Sequence, residues 1–253
     1  MTGEREDIRI AGTRREAVLL LHGLTGVPNE LHVLGGAIAA DGYSVHIPLL
    51  PGRGTVASDM DRLSWDDWMT AAVAAYDALA ADHAAVIVGG LSAGGTMALD
   101  LALRRPAGAL LLYAAAVRIS RRVAYLAPYG WRVIRRWPPP GTRAARAANA
   151  AADVSTYHPI PIRAVAELVR GMRRVRPRLE AITAPALVLH AEGDPWVPAS
   201  SGREIAARLR GPVELEILSG TGHAITAGPD RDAVAARTRA FLTRRFGPPE
   251  ASR

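Results

Sequence analysis

Residues 86–99, VIVGGLSAGGTMAL, constrain this chain more than any other stretch. An apolar, β-branched run ends in glycines, one serine follows, and a helix-forming run starts at once. The left side predicts a buried strand over 84–90 and the right a helix over 93–104, so the turn between them has almost no length. A backbone bent so sharply, with a helix packed close to the strand, tolerates only residues with little bulk at Cβ. Within Gly90-Leu91-Ser92-Ala93-Gly94-Gly95, Ser92 then points its hydroxyl out of the sheet, at the N-terminus of the following helix.

Strand and helix patterns alternate through most of the 253 residues. Strands are predicted at 16–22, 43–48, 84–90, 108–115, 184–192 and 213–219, and helices at 28–40, 64–81, 93–104, 199–210 and 230–246. Ser64 with Asp67 three residues on is close to a capping box. Such alternation implies an α/β fold, a mostly parallel central sheet with helices on both faces. At this length a single domain over 1–253 is expected. The alternation breaks once, between about 117 and 180, where RRWPPPGTRAARAANAAADVSTYHPIP reads neither as a core strand nor as a standard crossover. It is expected to be a small helical cap inserted after the strand that ends near Ala115. The Pro- and Arg-rich tail beyond 246 reads as frayed.

The longest apolar runs, such as 107–117, fall short of a membrane span, and the start, MTGEREDIRIAG, is polar and acidic where a leader would be basic and then apolar. A cytoplasmic protein is expected. With no cysteine, disulfides and thiolate nucleophiles are excluded. The net charge of +7 is uneven, and every basic residue is arginine. Fourteen arginines lie between 118 and 178 against only Asp153 and Glu167, leaving the rest of the chain net acidic. Two readings stand for this segment: a solvated basic face of a GC-biased coding sequence, or a surface that draws anionic lipid. Nucleic acid is disfavoured as a partner, because no aromatic interleaving or known module accompanies the arginines.

A serine hydroxyl is a poor nucleophile until a neighbouring base takes its proton, and that base needs a third group to orient it. HAEGDPWVP (190–198) places Asp194 beyond a predicted strand end, and LSGTGHAI (218–225) places His223 in a glycine-rich loop beyond the next. Ser92, Asp194 and His223 therefore follow the order Ser…Asp…His, each beyond a predicted strand end. Each also has a plainer reading: a Gly-x-Ser-x-Gly turn, a solvated turn aspartate before Pro195, a loop histidine. Their co-occurrence favours the chemical reading. His22 reads as a structural anchor, His158 and His190 as non-catalytic, and His32, His46 and His83 as lacking a metal-like cluster. HGLTG has neither the lysine nor the spacing of a P-loop.

The segments LLLHGLTGVPNELHVLGGAIAADGYSVHIPLLPGRG, VGGLSAGG, APALVLHAEGDPWVP and SGTGHAI, in this order, resemble the α/β-hydrolase family over nearly the whole chain. The likeness is closest to its small bacterial carboxylesterases and monoglyceride (monoacylglycerol) lipases. The resemblance implies Ser92 as nucleophile, His223 as general base and then acid, and Asp194 as the group that holds the imidazole. It implies an oxyanion hole from the backbone N–H groups of Leu24 and Ala93, and places 117–180 where the family carries its cap. The residue after His22-Gly23 is often aromatic in these esterases, and Leu24 departs from that pattern. The implied activity is hydrolysis of apolar acyl esters of small alcohols, monoacylglycerols included, without metal or organic cofactor. Tyr125, Leu126, Trp131, Ile160 and Val197 are the candidate acyl-side residues. Alternatives on the same triad are a cofactor-free perhydrolase (haloperoxidase-like), a C–C bond hydrolase or an acyltransferase. The alternative outside enzymes is a ligand receptor on a hydrolase scaffold.

Overall fold

Successive residues of the central strands, apolar on both sides, enter opposite faces of the sheet, and this organises the whole molecule. The computed structural model describes residues 6–137, 160–219 and 222–248. Seven strands form one sheet: β1 (Ile8–Ile10), β2 (Glu16–Leu21), β3 (Ser44–Ile47), β4 (Ala85–Leu91), β5 (Leu110–Tyr113), β8 (Ala186–Ala191) and β9 (Val213–Leu218). Their order is β1-β3-β2-β4-β5-β8-β9, and every pairing is parallel except β1 with β3. In β2, β4, β5 and β8, Leu19, Leu21, Val86, Val88, Leu110, Leu112, Ala186 and Val188 enter one apolar layer. Their neighbours Val18, Leu20, Ile87, Leu111, Leu187 and Leu189 enter the other. A strand buried on both faces reads as a continuous apolar run for this reason.

Helices α2 (Trp65–Asp82), α3 (Ala93–Ala102) and α6 (Ala199–Arg208) cover the first layer, and α1 (His32–Ala39) and α7 (Arg231–Phe246) the second. The capping box at α2 is formed: the Ser64 hydroxyl accepts the Asp67 N–H, and Asp67 Oδ2 accepts the Ser64 N–H at 2.8 Å. The helix expected over 28–40 is split, with a 3-10 turn at Pro28–Leu31 before α1. Among the described residues no helix is long and apolar enough to cross a membrane.

Two features depart from the sequence reading. The polar start contains β1, a three-residue edge strand held where Asp7 accepts the Leu49 N–H (2.7 Å) and meets His46 Nε2 (3.2 Å). The tail expected to fray is tethered where it leaves α7: the Arg14 guanidinium donates to the carbonyls of Phe246, Gly247 and Pro248 at 2.6, 3.2 and 2.9 Å. Residues 249–253 lie outside the described residues. Between the adjacent strands β5 and β8 the chain makes its long excursion. This holds α4 (Ala127–Gly130), a two-residue ladder of β6 (Arg136–Trp137) with β7 (Ile160–Pro161), and the fourteen-residue α5 (Ile162–Val175). Residues 138–159 lie outside the described residues.

The arginines of this excursion gain a third explanation. Helix α5 packs Ala164, Leu168, Met172 and Val175 into the first layer, with Gly171 against the Trp65 ring. Arg174 reaches Asp66 at 2.5 Å, Arg118 and Arg176 reach Glu204 at 2.5 and 2.7 Å, and Arg163 and Arg170 flank the buried Glu167. Glu167 also accepts the Trp65 N–H at 3.1 Å. Acids on α2 and α6 thus meet arginines of the basic segment in ion pairs. Exposed pairs of this kind contribute about 0–1 kcal/mol each, so the apolar face of α5 supplies most of the attachment.

Candidate active site

The loops after β2, β4, β8 and β9 all leave the same, C-terminal edge of the parallel strands, where open α/β sheets place their ligands. Ser92 directly follows β4 with φ 54° and ψ −112°, a conformation an L-residue adopts only when its surroundings impose it. The surroundings here are backbone. Ser92 N–H donates to the Tyr113 carbonyl at 2.8 Å, and its own carbonyl accepts from Thr96 and Ala116 at 3.2 and 3.3 Å. The glycines are required by close approach. A Cβ on Gly94 would overlap the Leu21 carbonyl, one on Gly90 would overlap Gly94, and one on Gly95 would stand 2.6 Å from the Ala115 Cβ. Ala93 opens α3, so its N–H is one of the helix's free N-terminal donors.

Asp194 and His223 are joined. His223 Nδ1 lies 2.6 Å from Asp194 Oδ2. The other carboxylate oxygen accepts the N–H groups of Trp196 (2.8 Å) and Val197 (3.0 Å). Burial would raise the Asp194 pKa, but the His223 charge, its hydrogen bond and the two backbone donors outweigh it, and the carboxyl sits below its ordinary range. For His223, burial opposes protonation, yet the Asp194 charge and hydrogen bond, with Glu30 beyond, raise its pKa above the usual 6.5. His190 backs the dyad: it is fully buried, its Nε2 donates to the Val197 carbonyl at 2.9 Å, and its ring lies 3.8 Å from Asp194 Oδ2. Gly220 and Thr221, before His223, lie outside the described residues.

The loop after β2 is set by His22. The Leu50 N–H donates to His22 Nε2 at 3.2 Å, which leaves the proton on Nδ1, 3.0 Å from the Gly23 carbonyl. Burial and the nearby Arg53 charge depress the His22 pKa to about 3, so the ring is neutral at working pH. A trans peptide sets its C=O and N–H in opposite directions. Fixing the Gly23 carbonyl toward His22 therefore turns the Leu24 N–H away from it. Arg53 completes the loop: its guanidinium donates to the Leu24 carbonyl at 3.1 Å and stacks 4.0 Å over the Trp68 ring.

Of the candidate acyl-side residues, Val197 is buried beside Asp194, and the Tyr125 hydroxyl accepts the Ile119 N–H at 3.0 Å. Trp131 packs on Ala127, Ile162 and Ala166 and is flanked by Arg132 and Arg163. Ile160 is in β7, and Leu126 is 62% exposed. Two residues that sequence reasoning passed over belong to the site's frame, Glu30 and Arg53. Nothing local marks either one. An acid in the first turn of a helix is ordinarily a solvated partner of the helix dipole, and Arg53 sits in a Pro/Gly loop.

Comparison with known proteins agrees with this fold. The family model described as Hydrolase_4, serine aminopeptidase S33, matches residues 12–230. The chain is 30% identical over 233 residues to the thermostable monoacylglycerol lipase of Bacillus sp. (strain H-257), covering 91% of each. It is 24% identical over 231 residues to a carboxylesterase of Bacillus subtilis (strain 168), covering 90% of this chain and 92% of that one. Among solved structures it is similar to one from the work on LipS and LipT, two metagenome-derived lipolytic enzymes, with TM-score 0.87 and 25% identity over 96% of this chain and 98% of that one. The chain belongs to the serine aminopeptidase S33 family and is an enzyme of the α/β-hydrolase fold.

Proposed function

We propose that this enzyme is a serine carboxylic-ester hydrolase acting on apolar acyl esters of small alcohols, monoacylglycerols included. The observation that carries the reading is the His223–Asp194 hydrogen bond at 2.6 Å, at the same sheet edge as the strained Ser92. His223 Nε2 takes the Ser92 proton as Oγ attacks the ester carbonyl carbon. The Leu24 and Ala93 N–H groups receive the charge on the carbonyl oxygen. Collapse breaks the C–O bond to the alcohol, which leaves with the proton from His223. Water then attacks the acyl-serine with His223 again as base, releasing the acid and restoring Ser92. Loss of one oxyanion donor costs roughly 3–4 kcal/mol in comparable enzymes. No step calls for a metal or organic cofactor.

In this reading the chain is one α/β domain, and about 117–180 form its cap, with Tyr125, Leu126, Trp131, Ile160 and Val197 toward the acyl chain. The cap also carries most of the exposed large apolar side chains found among the described residues: Val123, Leu126, Tyr129, Val133 and Ile134. Interleaved with Arg121, Arg122, Arg132 and Arg135, they make a surface suited to peripheral contact with anionic lipid. The test is a panel of nitrophenyl esters from acetate to palmitate beside monoacylglycerols, with an amino-acid nitroanilide as the peptidase control and Ser92→Ala as the blank. Ester turnover lost in Ser92→Ala supports the reading. Turnover of the nitroanilide alone would replace it with peptide hydrolysis, and binding without turnover would replace it with a receptor.

A further inference from the structure

The oxyanion loop and the histidine loop come from opposite ends of the sequence, and one buried residue touches both. Glu30 is only 5% exposed. Its Oε2 accepts the Gly23 N–H at 2.7 Å. Gly26 lies so close that a Cβ there would overlap the Glu30 carboxylate, and one on Gly23 would stand 3.0 Å from Oε2. On its backbone side, the Glu30 carbonyl accepts the hydroxyl of Thr226 at 2.9 Å. Thr226 is buried, three residues after His223, and the Ile225 N–H between them donates back to the His223 carbonyl at 3.0 Å.

We propose that Glu30 is a positioning residue, which locks the oxyanion loop to the histidine loop and so keeps the Leu24 N–H and His223 in fixed relation. The inference rests on the ester-hydrolase reading above. Two successive residues of the loop are gripped from opposite sides: Gly23 through its N–H by Glu30, and Leu24 through its carbonyl by Arg53. With the Gly23 carbonyl held by His22, the Leu24 N–H has little freedom left. Burying a carboxylate is costly unless it is paired, and Glu30 finds its partner on the oxyanion loop. The long side chain is explained by its reach, back seven residues to the loop. The charged groups facing Glu30 are His223 and Arg53, and those facing His223 are Asp194 and Glu30. Burial raises the Glu30 pKa to about 7, and both its protonated and ionised forms keep an acceptor for Gly23.

The test compares wild type with Glu30→Ala, Glu30→Gln and Thr226→Val on a soluble nitrophenyl ester, measuring kcat, KM and the pH profile. Glu30→Ala should lower kcat about 100-fold, the order seen when an oxyanion donor is lost, with KM changed less than about threefold. Glu30→Gln keeps an acceptor oxygen and should hold kcat within about fivefold. In both, the acid limb of kcat/KM should move to lower pH, since the partial negative charge of Glu30, which titrates near 7, no longer favours the protonated imidazole. Thr226→Val should lower kcat with KM nearly unchanged. Wild-type kcat in Glu30→Ala overturns the proposal, as does wild-type kcat in Thr226→Val. The second outcome decides the matter if Glu30→Ala does not fold. A wild-type protein inert to every ester would instead overturn the parent reading. The rate of fluorophosphonate labelling at Ser92, expected to be slower in Glu30→Ala, then tests the lock by itself.

Discussion

Asp194 uses its two carboxylate oxygens for different tasks: Oδ2 holds His223 Nδ1 at 2.6 Å, while Oδ1 accepts two N–H groups of its own loop, from Trp196 and Val197. The loop fixes the acid and the acid fixes the imidazole. Asp194→Asn should therefore lower kcat by about 10⁴-fold, as in the serine-protease precedent, because an amide in that place favours the wrong tautomer of His223. The loop hydrogen bonds survive the change, so KM should move little.

The same pair sets the pH dependence. His223 must be unprotonated to accept the Ser92 proton, and its pKa lies above 6.5 through Asp194 despite the opposing effect of burial. Activity should thus be full on the alkaline side and fall as pH drops through a midpoint above 6.5. Measuring kcat/KM from about pH 5 to 9 checks this. A flat profile across this range would assign the base elsewhere.

A fluorophosphonate should add one adduct per chain, at Ser92, and Ser92→Ala should take none. Alanine suffers the same strain at φ 54° as serine, so the Tm of Ser92→Ala should match wild type. Ser92→Gly removes that strain and should be more stable by roughly 1 kcal/mol, a Tm gain of about 2–4 °C. Labelling of Ser92→Ala would refute the assignment.

Two glycines in helices should respond in opposite directions. A Cβ on Gly94 would meet the Leu21 carbonyl, which cannot yield without moving β2, so Gly94→Ala should destabilise by more than ~2 kcal/mol. Gly36 is exposed in α1 with nothing within 4 Å of an added Cβ. There, Gly36→Ala should stabilise by roughly 1 kcal/mol through helix propensity alone. Thermal unfolding of the two variants decides both.

The cap surface makes a separable prediction. Val133 and Ile134 are 87% and 61% exposed. Replacing both with serine should weaken binding to anionic vesicles several-fold and leave hydrolysis of a soluble short-chain ester unchanged. Vesicle binding should also weaken as salt rises, since screening shortens to about 8 Å near physiological ionic strength. Salt-insensitive or absent binding would leave the arginines with their ion pairs to α2 and α6 as their only role.

What the amino-acid sequence determined by itself is the local geometry. Apolar runs of strand length located the central strands within about two residues, because a strand buried on both faces must be apolar throughout. The glycines around Ser92 announced a bend that no bulkier residue fits, and Ser64 with Asp67 announced the start of α2. The order of Ser92, Asp194 and His223, each beyond a strand end, was legible for the same reason. What only the tertiary structure decided is pairing between distant segments. Strand β1 exists because β3 offers it an edge and Asp7 finds Leu49, and the chain leaving α7 is held at Gly247 and Pro248 because Arg14, over two hundred residues earlier, reaches their carbonyls. The charge of the excursion looked like a solvated face until Asp66 and Glu204 met its arginines. Nothing in the local sequence marks Glu30, which is a buried link only because Gly23 and Thr226 converge on it. Steric rules and periodicity act over a few residues and are written in the local sequence. The partner of a charge or a hydrogen-bonding group is whatever the folded chain brings within about 3 Å, and no local pattern records it.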